Sequence, residues 1–292
     1  MFDIRCNIDS KDMSDIASKL IDKVCGGVSF IVNRTTNKKL ALEEYINDIR
    51  GNESLDPRTK AVLIYNAGRD IKRWSNVTAI CDKAVERLAE TAKIDDVNPD
   101  WLSLFQSHAE NVSTEELQDI WSYILAAEFN EPESIPKALL NTLMSMGKRE
   151  AEVFNRLASF CVKIDGEMHP IIVQDKIDTY YSEHDLGLNA LHRLSTIGLI
   201  NLDANELGGM GVLVDEDSVV EYFDQKKSIA TINNVKAKKG LSVGAVTLSY
   251  TGEALMKIIV PDKVDGFFEE IAMPYFENPG KHIEDMFNNT DL

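Results

Sequence analysis

Motifs that would name a chemistry are missing from this sequence. No GxxxxGK[ST] phosphate loop, no GxGxxG after a strand and no HExxH occurs in its 292 residues, so the common phosphate-cradling and metallohydrolase arrangements have no anchor. Cysteine is sparse and scattered. Cys6, Cys25, Cys81 and Cys161 form no CxxC pair, which removes the spacing that zinc or redox chemistry requires. They read as reduced, buried small hydrophobes of a cytoplasmic protein. Long apolar runs are lacking too. VCGGVSFIV at 24–32 falls far short of the roughly 20 residues of a membrane span. The sequence leaves open only whether residues 10–32 touch a membrane surface as an interfacial helix.

Positive charge is also in deficit. Lys and Arg number 31 against 48 Asp and Glu, for a net charge of -17. The imbalance is uneven: residues 1–162 carry 20 cations against 26 anions, and residues 163–292 carry 11 against 22. Such a field repels phosphate backbones and anionic membranes at long range. Hydrophobic content of 44% and charged content of 27% belong to a folded globular chain, and the length favours two domains over one.

What is present is mostly helical periodicity. Ser10 caps a helix through Met13, Ile16, Leu20 and Val24; another covers Lys38 to Ile49 and ends at Gly51. Asp56-Pro57 is a start signal for a long helix reaching about Ala92, the spine of a bundle. Short helices follow around Trp101 to His108, Pro136 to Met146 and Lys148 to Val162, and residues 2–8 are the one strand candidate in this half.

Between them lies VSTEELQDIWSYILAAE at 112–128. Ser113 and Glu116 have capping-box spacing, Val112 and Leu117 stand at staple positions, and Glu115, Glu116 and Asp119 complement the helix dipole. Glu128 lacks such an explanation. It shares a face with Trp121, Ile124 and Leu125, where burial demands a partner. Arg149 or Arg156 would supply a structural ion pair; failing that, Glu128 is a candidate functional carboxylate.

Near Val162 the period changes. Asp165-Gly166 between short apolar runs predicts a hairpin. A helix from about Ser182 to Gly198, carrying Leu188, Leu191 and Leu194, runs into the strand LINLD, and GGMG at 208–211 suits a wing turn. That order is how a winged helix delivers its recognition helix into its wing. Later, LSVGAVTLSYTGEALMKII reads as strand and then helix from near Thr251. The expected fold is mainly α: a helical bundle over 1–162, a smaller α+β winged-helix-like domain over 163–260, and a C-terminal docking segment with a tail over 261–292. Phe267, Phe268 and Phe276 are the candidate protein-docking residues of that segment.

Candidate nucleic-acid contacts are His192 and Arg193 on the expected recognition helix, with Lys226, Lys227, Lys236, Lys238 and Lys239 as phosphate-touching lysines. Glu183 and Asp185 at the start of the helix oppose that use, so a protein-binding winged helix is favoured. Histidine chemistry is thin: His184 and His192 lie two turns apart, and His108 points away from Glu110. Asp215 with Asp224-Gln225-Lys226 matches a restriction-type metal site loosely, a coincidence that 48 acids make cheap. No cofactor or metal is expected.

Asp100-Trp101 with Phe105, the 112–128 stretch, and ALLNTLMSMGKREAEVFNRLASF resemble a family of bacterial proteins, domain of unknown function 2806. Asn76 and Ile80 in the upstream helix, LHRLSTIGLI and LSYTGEALMKI are similar to further parts of it, so the resemblance covers roughly residues 70–260. Where that family tends to have Pro-Gly-Ser, this chain has Pro132-Glu133-Ser134, so the turn is expected to differ in shape. The resemblance implies no catalytic residues. A more distant likeness to the abortive-infection alpha group implies a role in bacterial defence against phage. The expected function is a non-enzymatic protein-interaction module, with a protein partner or a homo-oligomer; the alternative is a nucleic-acid-binding regulator.

Overall fold

A computed structural model describes residues 19–20, 22–24, 38–202, 210–229 and 239–277. The predicted strand at 2–8, Cys6, Cys25, most of the helix from Ser10, the first glycines of GGMG, Lys236, Lys238 and the tail beyond 277 lie outside those residues. Predominantly helical, the chain divides into two compact units, one ending at Leu140 and the other beginning at Asn141. The helix at 148–158, assigned to the bundle on periodicity alone, belongs to the second unit.

In the first unit, α1 spans Lys38–Gly51, α2 Pro57–Val85, α3 Pro99–Ala109 and α4 Glu115–Asn130. Asp56 starts α2 as its sequence announces, accepting from the backbone N–H of Arg58 at 2.9 Å and of Thr59 at 3.1 Å. Pro57 fills the first turn, where its missing N–H costs nothing. Asn98 caps α3 in the same way.

The core forms where α2, α3 and α4 meet. Trp101 stacks on Phe105 at 5.3 Å, Phe105 meets Trp121 at 5.3 Å, and Ile80, Cys81, Ile124, Leu125 and Phe129 fill the remainder. The capping box predicted for α4 does not form: its N-cap is Thr114 without a side-chain cap bond, and the Ser113 hydroxyl instead accepts from Asn76 Nδ2 at 3.4 Å.

Helix α5, Lys137–Met144, straddles the division. In the second unit α6 spans Lys148–Ala158, and the Glu150 carboxylate accepts from the Gly147 N–H at 3.0 Å to close its N-terminus. Strands β1 (Cys161–Ile164) and β2 (Glu167–Pro170) then form the expected hairpin. Asp165 at φ 50° and Gly166 at φ 95° occupy the left-handed pair that this turn needs.

A 3₁₀ turn at Gln174–Lys176 and a π-helical turn at Ile177–Tyr181 lead to α7, Leu188–Thr196. The recognition-type helix is therefore shorter than its periodicity suggested. Asp185, at φ 58°, breaks the run, and Leu188 stands exposed whereas Leu191 and Leu194 are buried.

Strands β3 (Ile200–Leu202), β4 (Met210–Val214), β5 (Val219–Tyr222), β6 (Gln225–Ser228), β7 (Lys239–Gly244) and β8 (Val246–Leu248) complete the β structure. One sheet runs β2-β1-β5-β6; β3 pairs with β8 and β4 with β7, all antiparallel. Helix α8, Tyr250–Met256, starts at the Ser249 cap. A Cβ on Gly252 would come within 2.0 Å of the Leu199 carbonyl oxygen, so this approach of α8 to the chain entering β3 requires glycine.

A π-helical turn at Phe267–Ala272 and α9, Met273–Glu277, close the described chain. Here the expectation of a docking surface is corrected. Phe267, Phe268 and Phe276 are buried. Phe267 packs on Phe160 at 5.1 Å and on Tyr222 at 5.2 Å, and Phe268 stacks on Tyr222 at 5.8 Å. The Tyr222 hydroxyl donates to Ser159 O at 2.8 Å and accepts from Val264 N at 2.9 Å. These phenylalanines remove apolar area from water inside their own unit, which is the stronger drive for clustered aromatics.

Candidate functional site

Glu128 is the first place to look. It is 1% exposed, and its carboxylate is fully occupied: Oε1 accepts from the Glu133 N–H and Oε2 from the Ile135 N–H, each at 2.9 Å. The Ile135 carbonyl in turn accepts from Trp101 Nε1 at 2.9 Å. Glu128 therefore fastens the turn after α4 onto the aromatic core. The anticipated Arg149 or Arg156 partner is replaced by two backbone amides. Glu133 sits at φ 70°, the left-handed region that glycine occupies freely. Burial pushes the Glu128 carboxyl above the usual carboxylate range, against the two amide bonds that favour its ionised form, and the nearby Glu133 charge adds to the rise.

Other sequence-flagged groups are similarly engaged. Asp215 accepts from Asp217 N at 3.1 Å and Ser218 Oγ at 3.2 Å, Asp224 pairs with Lys263 at 2.6 Å, and Lys226 pairs with Glu221 at 2.7 Å. The loose metal-site match is thus three separate structural contacts. Among the described residues no group of three or more His, Cys, Asp or Glu side chains could hold a metal ion. His184 Nδ1 lies 2.8 Å from Tyr180 O, and its ring meets Phe160 at 5.4 Å. Cys81 and Cys161 are buried thiols, and burial pushes the Cys161 thiol well up.

An open cavity of about 1050 Å³ lies between α6 and α7 in the second unit. Each helix contributes residues at i, i+3, i+4 and i+7, the spacing of one helical face. Arg149, Glu152, Val153 and Arg156 come from α6, and Asn189, His192, Arg193 and Thr196 from α7, with Glu150 and Asp185 at the margins. The opposite faces bury Phe154 and Leu157 of α6 and Leu191 and Leu194 of α7, which fixes the polar faces toward the groove.

Both signs of charge line it. Arg193 Nη1 reaches Glu150 Oε1 at 3.4 Å, while Arg149 and Arg156 enter no ion pair among the described residues and are exposed. His192 and Arg193, flagged on sequence, are therefore in one groove with two arginines previously considered only as partners for Glu128. Lys226 and Lys227 are not part of its lining. They stand on β6, Lys226 in a cross-strand pair and Lys227 exposed. Lys239 opens β7.

A family model described as "Protein of unknown function (DUF2806)" matches residues 67–272, well over half of the chain. No curated protein and no solved structure matches. Among the described residues no helix is long and apolar enough to cross a membrane.

Proposed function

The chain belongs to that family, and we propose that it works as a non-enzymatic protein-interaction module whose contact surface is the α6–α7 groove. The observation that carries this reading is the groove's mixed lining. Arg149, Arg156, Arg193 and His192 stand among Glu150, Glu152 and Asp185, a pattern that suits a polypeptide presenting both signs. A phosphate backbone, with one sign repeated, would meet those three acids and a net charge of -17. The succession of α6, the turn at Ile177–Tyr181, α7 and the antiparallel β3–β8 pair supports a winged-helix-like arrangement, with α7 as the presented helix. The expected setting is cytoplasmic.

A photo-crosslinking side chain placed at Asn189 tests this in cells that express the protein. The expected result is a discrete crosslinked protein partner that disappears in an Arg149→Glu/Arg156→Glu variant. Failure to crosslink any protein from Asn189, or partners unaffected by the double substitution, sinks the reading.

The alternative is nucleic-acid binding. It draws support from Asn189, His192, Arg193 and Thr196, all able to hydrogen-bond base edges, with the lysines of 226–239 as phosphate contacts. Titration of duplex DNA across a salt series separates the two: a steep loss of affinity with salt, with binding weakened and the salt slope reduced in Lys227→Glu or Arg156→Glu, would favour the regulator. Phage defence is proposed only on the likeness to the abortive-infection alpha group. Unchanged plating efficiency of phages on a deletion strain would argue against it.

A further inference from the structure

Burial divides α2 in two. From Asn76 to Val85 it buries Asn76, Val77, Thr78, Ile80, Cys81, Ala84 and Val85, whereas no residue from Pro57 to Ser75 is buried. Within that outer half Arg58, Val62, Tyr65, Arg69 and Lys72 recur at alternating spacings of four and three. All five are exposed, Val62 by 53% and Tyr65 by 71%. At 100° per residue they fall within a sector of about 80° that runs about 21 Å along the axis. Leu63, Ile64, Ala67, Ile71 and Trp74 lie on the other side and are half-buried, so the helix already has an inward face.

Charge singles out the same half. Between 57 and 73 stand five cations, Arg58, Lys60, Arg69, Lys72 and Arg73, against one acid, Asp70, in a chain of net charge -17. Lys60 donates to Arg50 O at 2.8 Å, Arg69 lies 3.3 Å from Asp70, and Arg73 lies 3.6 Å from Glu110. The Arg69–Asp70 pair is exposed and of the kind that exchanges readily for a better partner, whereas Arg73 and Glu110 are half-buried.

We infer that this stripe is a docking ridge for an acidic amphipathic helix of a partner protein. Val62 and Tyr65 form its apolar centre; Arg58 at one end and Arg69 with Lys72 at the other form a cationic rim. Tyrosine and arginine dominate interface energetics, and the four-three spacing is that of paired helices. The same helix of a second copy does not fit, because in either orientation cations would face cations. Two exposed apolar residues over this length are too few to hold a bilayer surface. A phosphate backbone would meet apolar Val62 and Tyr65 in the middle of the row. The ridge lies in the first unit and does not rest on the α6–α7 groove.

The test is fluorescence anisotropy of the full chain with a synthetic 21-residue helical peptide carrying leucine at heptad a and d and glutamate at e and g. The expected result is saturable binding that weakens at least about tenfold in Tyr65→Glu and in Arg58→Glu/Arg69→Glu. The control Val260→Glu, at a position 83% exposed, should leave the affinity unchanged. Replacing the peptide's glutamates by lysine should abolish binding. Circular dichroism checks each fold, and Tyr65→Ala stands in should Tyr65→Glu not fold. The inference is overturned if the glutamate peptide does not bind, if the lysine peptide binds equally, or if the ridge variants bind as the unmodified chain does. It is also overturned if the ridge variants instead abolish binding to phosphatidylserine vesicles or duplex DNA while the peptide remains unbound.

Discussion

Glu128 and Arg156 are charged side chains on helices that differ in where their partners lie. The Glu128 carboxylate turns inward and satisfies two amides of its own unit, whereas Arg156 lines an open groove and enters no ion pair among the described residues. A charge that is buried must be matched internally, because an unmatched one would unfold the site. Only a charge left in solvent can be reserved for something else. The contrast identifies the carboxylate as architecture and the arginines as the place to seek function.

Substitutions can break that contrast. The largest effects should come from the interior: Glu128→Ala, which orphans the buried Ile135 N–H and the part-buried Glu133 N–H, and Phe267→Ala, which empties an aromatic cluster, should each cost about 3–5 kcal/mol. Urea denaturation measures both. A neutral Glu128→Ala would mean that the turn holds without its anchor, and the carboxylate would return as a functional candidate.

Glu128→Gln is the sharper version. It keeps the shape but sets an amide donor against a backbone N–H, for a loss of about 1–3 kcal/mol. Because the folded carboxyl lies above its ordinary range, its favourable contribution is complete at pH values below the unfolded carboxylate range and is lost as pH rises through the folded value. Unmodified protein should therefore lose stability relative to Glu128→Gln as pH is raised across that interval. The opposite trend in urea midpoints would show that the two amide bonds outweigh burial.

Glu133→Gly should stabilise by about 1 kcal/mol, since it relieves a left-handed backbone and removes a repelling charge. A fall in melting temperature would place the gain elsewhere. Arg149→Ala and Arg156→Ala should change stability by no more than about 0.5 kcal/mol while lowering the crosslinking yield at Asn189. A large destabilisation would make the groove architecture too.

Legibility in the sequence followed locality. Asp56-Pro57 and Asp165-Gly166 announced a helix start and a hairpin because the interactions that decide them span two or three residues. Glu128 was visible as anomalous from its place beside Trp121, but its partners were not, since backbone amides five and seven residues on carry no side-chain signature. Phe267 and Phe268 look alike in sequence whether they meet solvent or Tyr222, and that choice is made by a tertiary contact. Arg149 and Asn189 share a helical period with their neighbours, yet only the pairing of α6 with α7 makes their faces one groove. Strand β5 joins β1, a long-range register that no local pattern encodes.

Strands β3 and β8 pair in register, Leu202 against Val246 and Ile200 against Leu248, so the chain leaves this ladder after 202 and returns to it at 246, with β5 taking its place beside β1 in between. Such a doorway decouples length from architecture. The ladder holds both ends of the excursion, so a change of length inside it shifts no residue of the β3–β8 pair itself. A lineage carrying this fold can therefore revise the excursion's reach and charge in small steps while the doorframe stays in place.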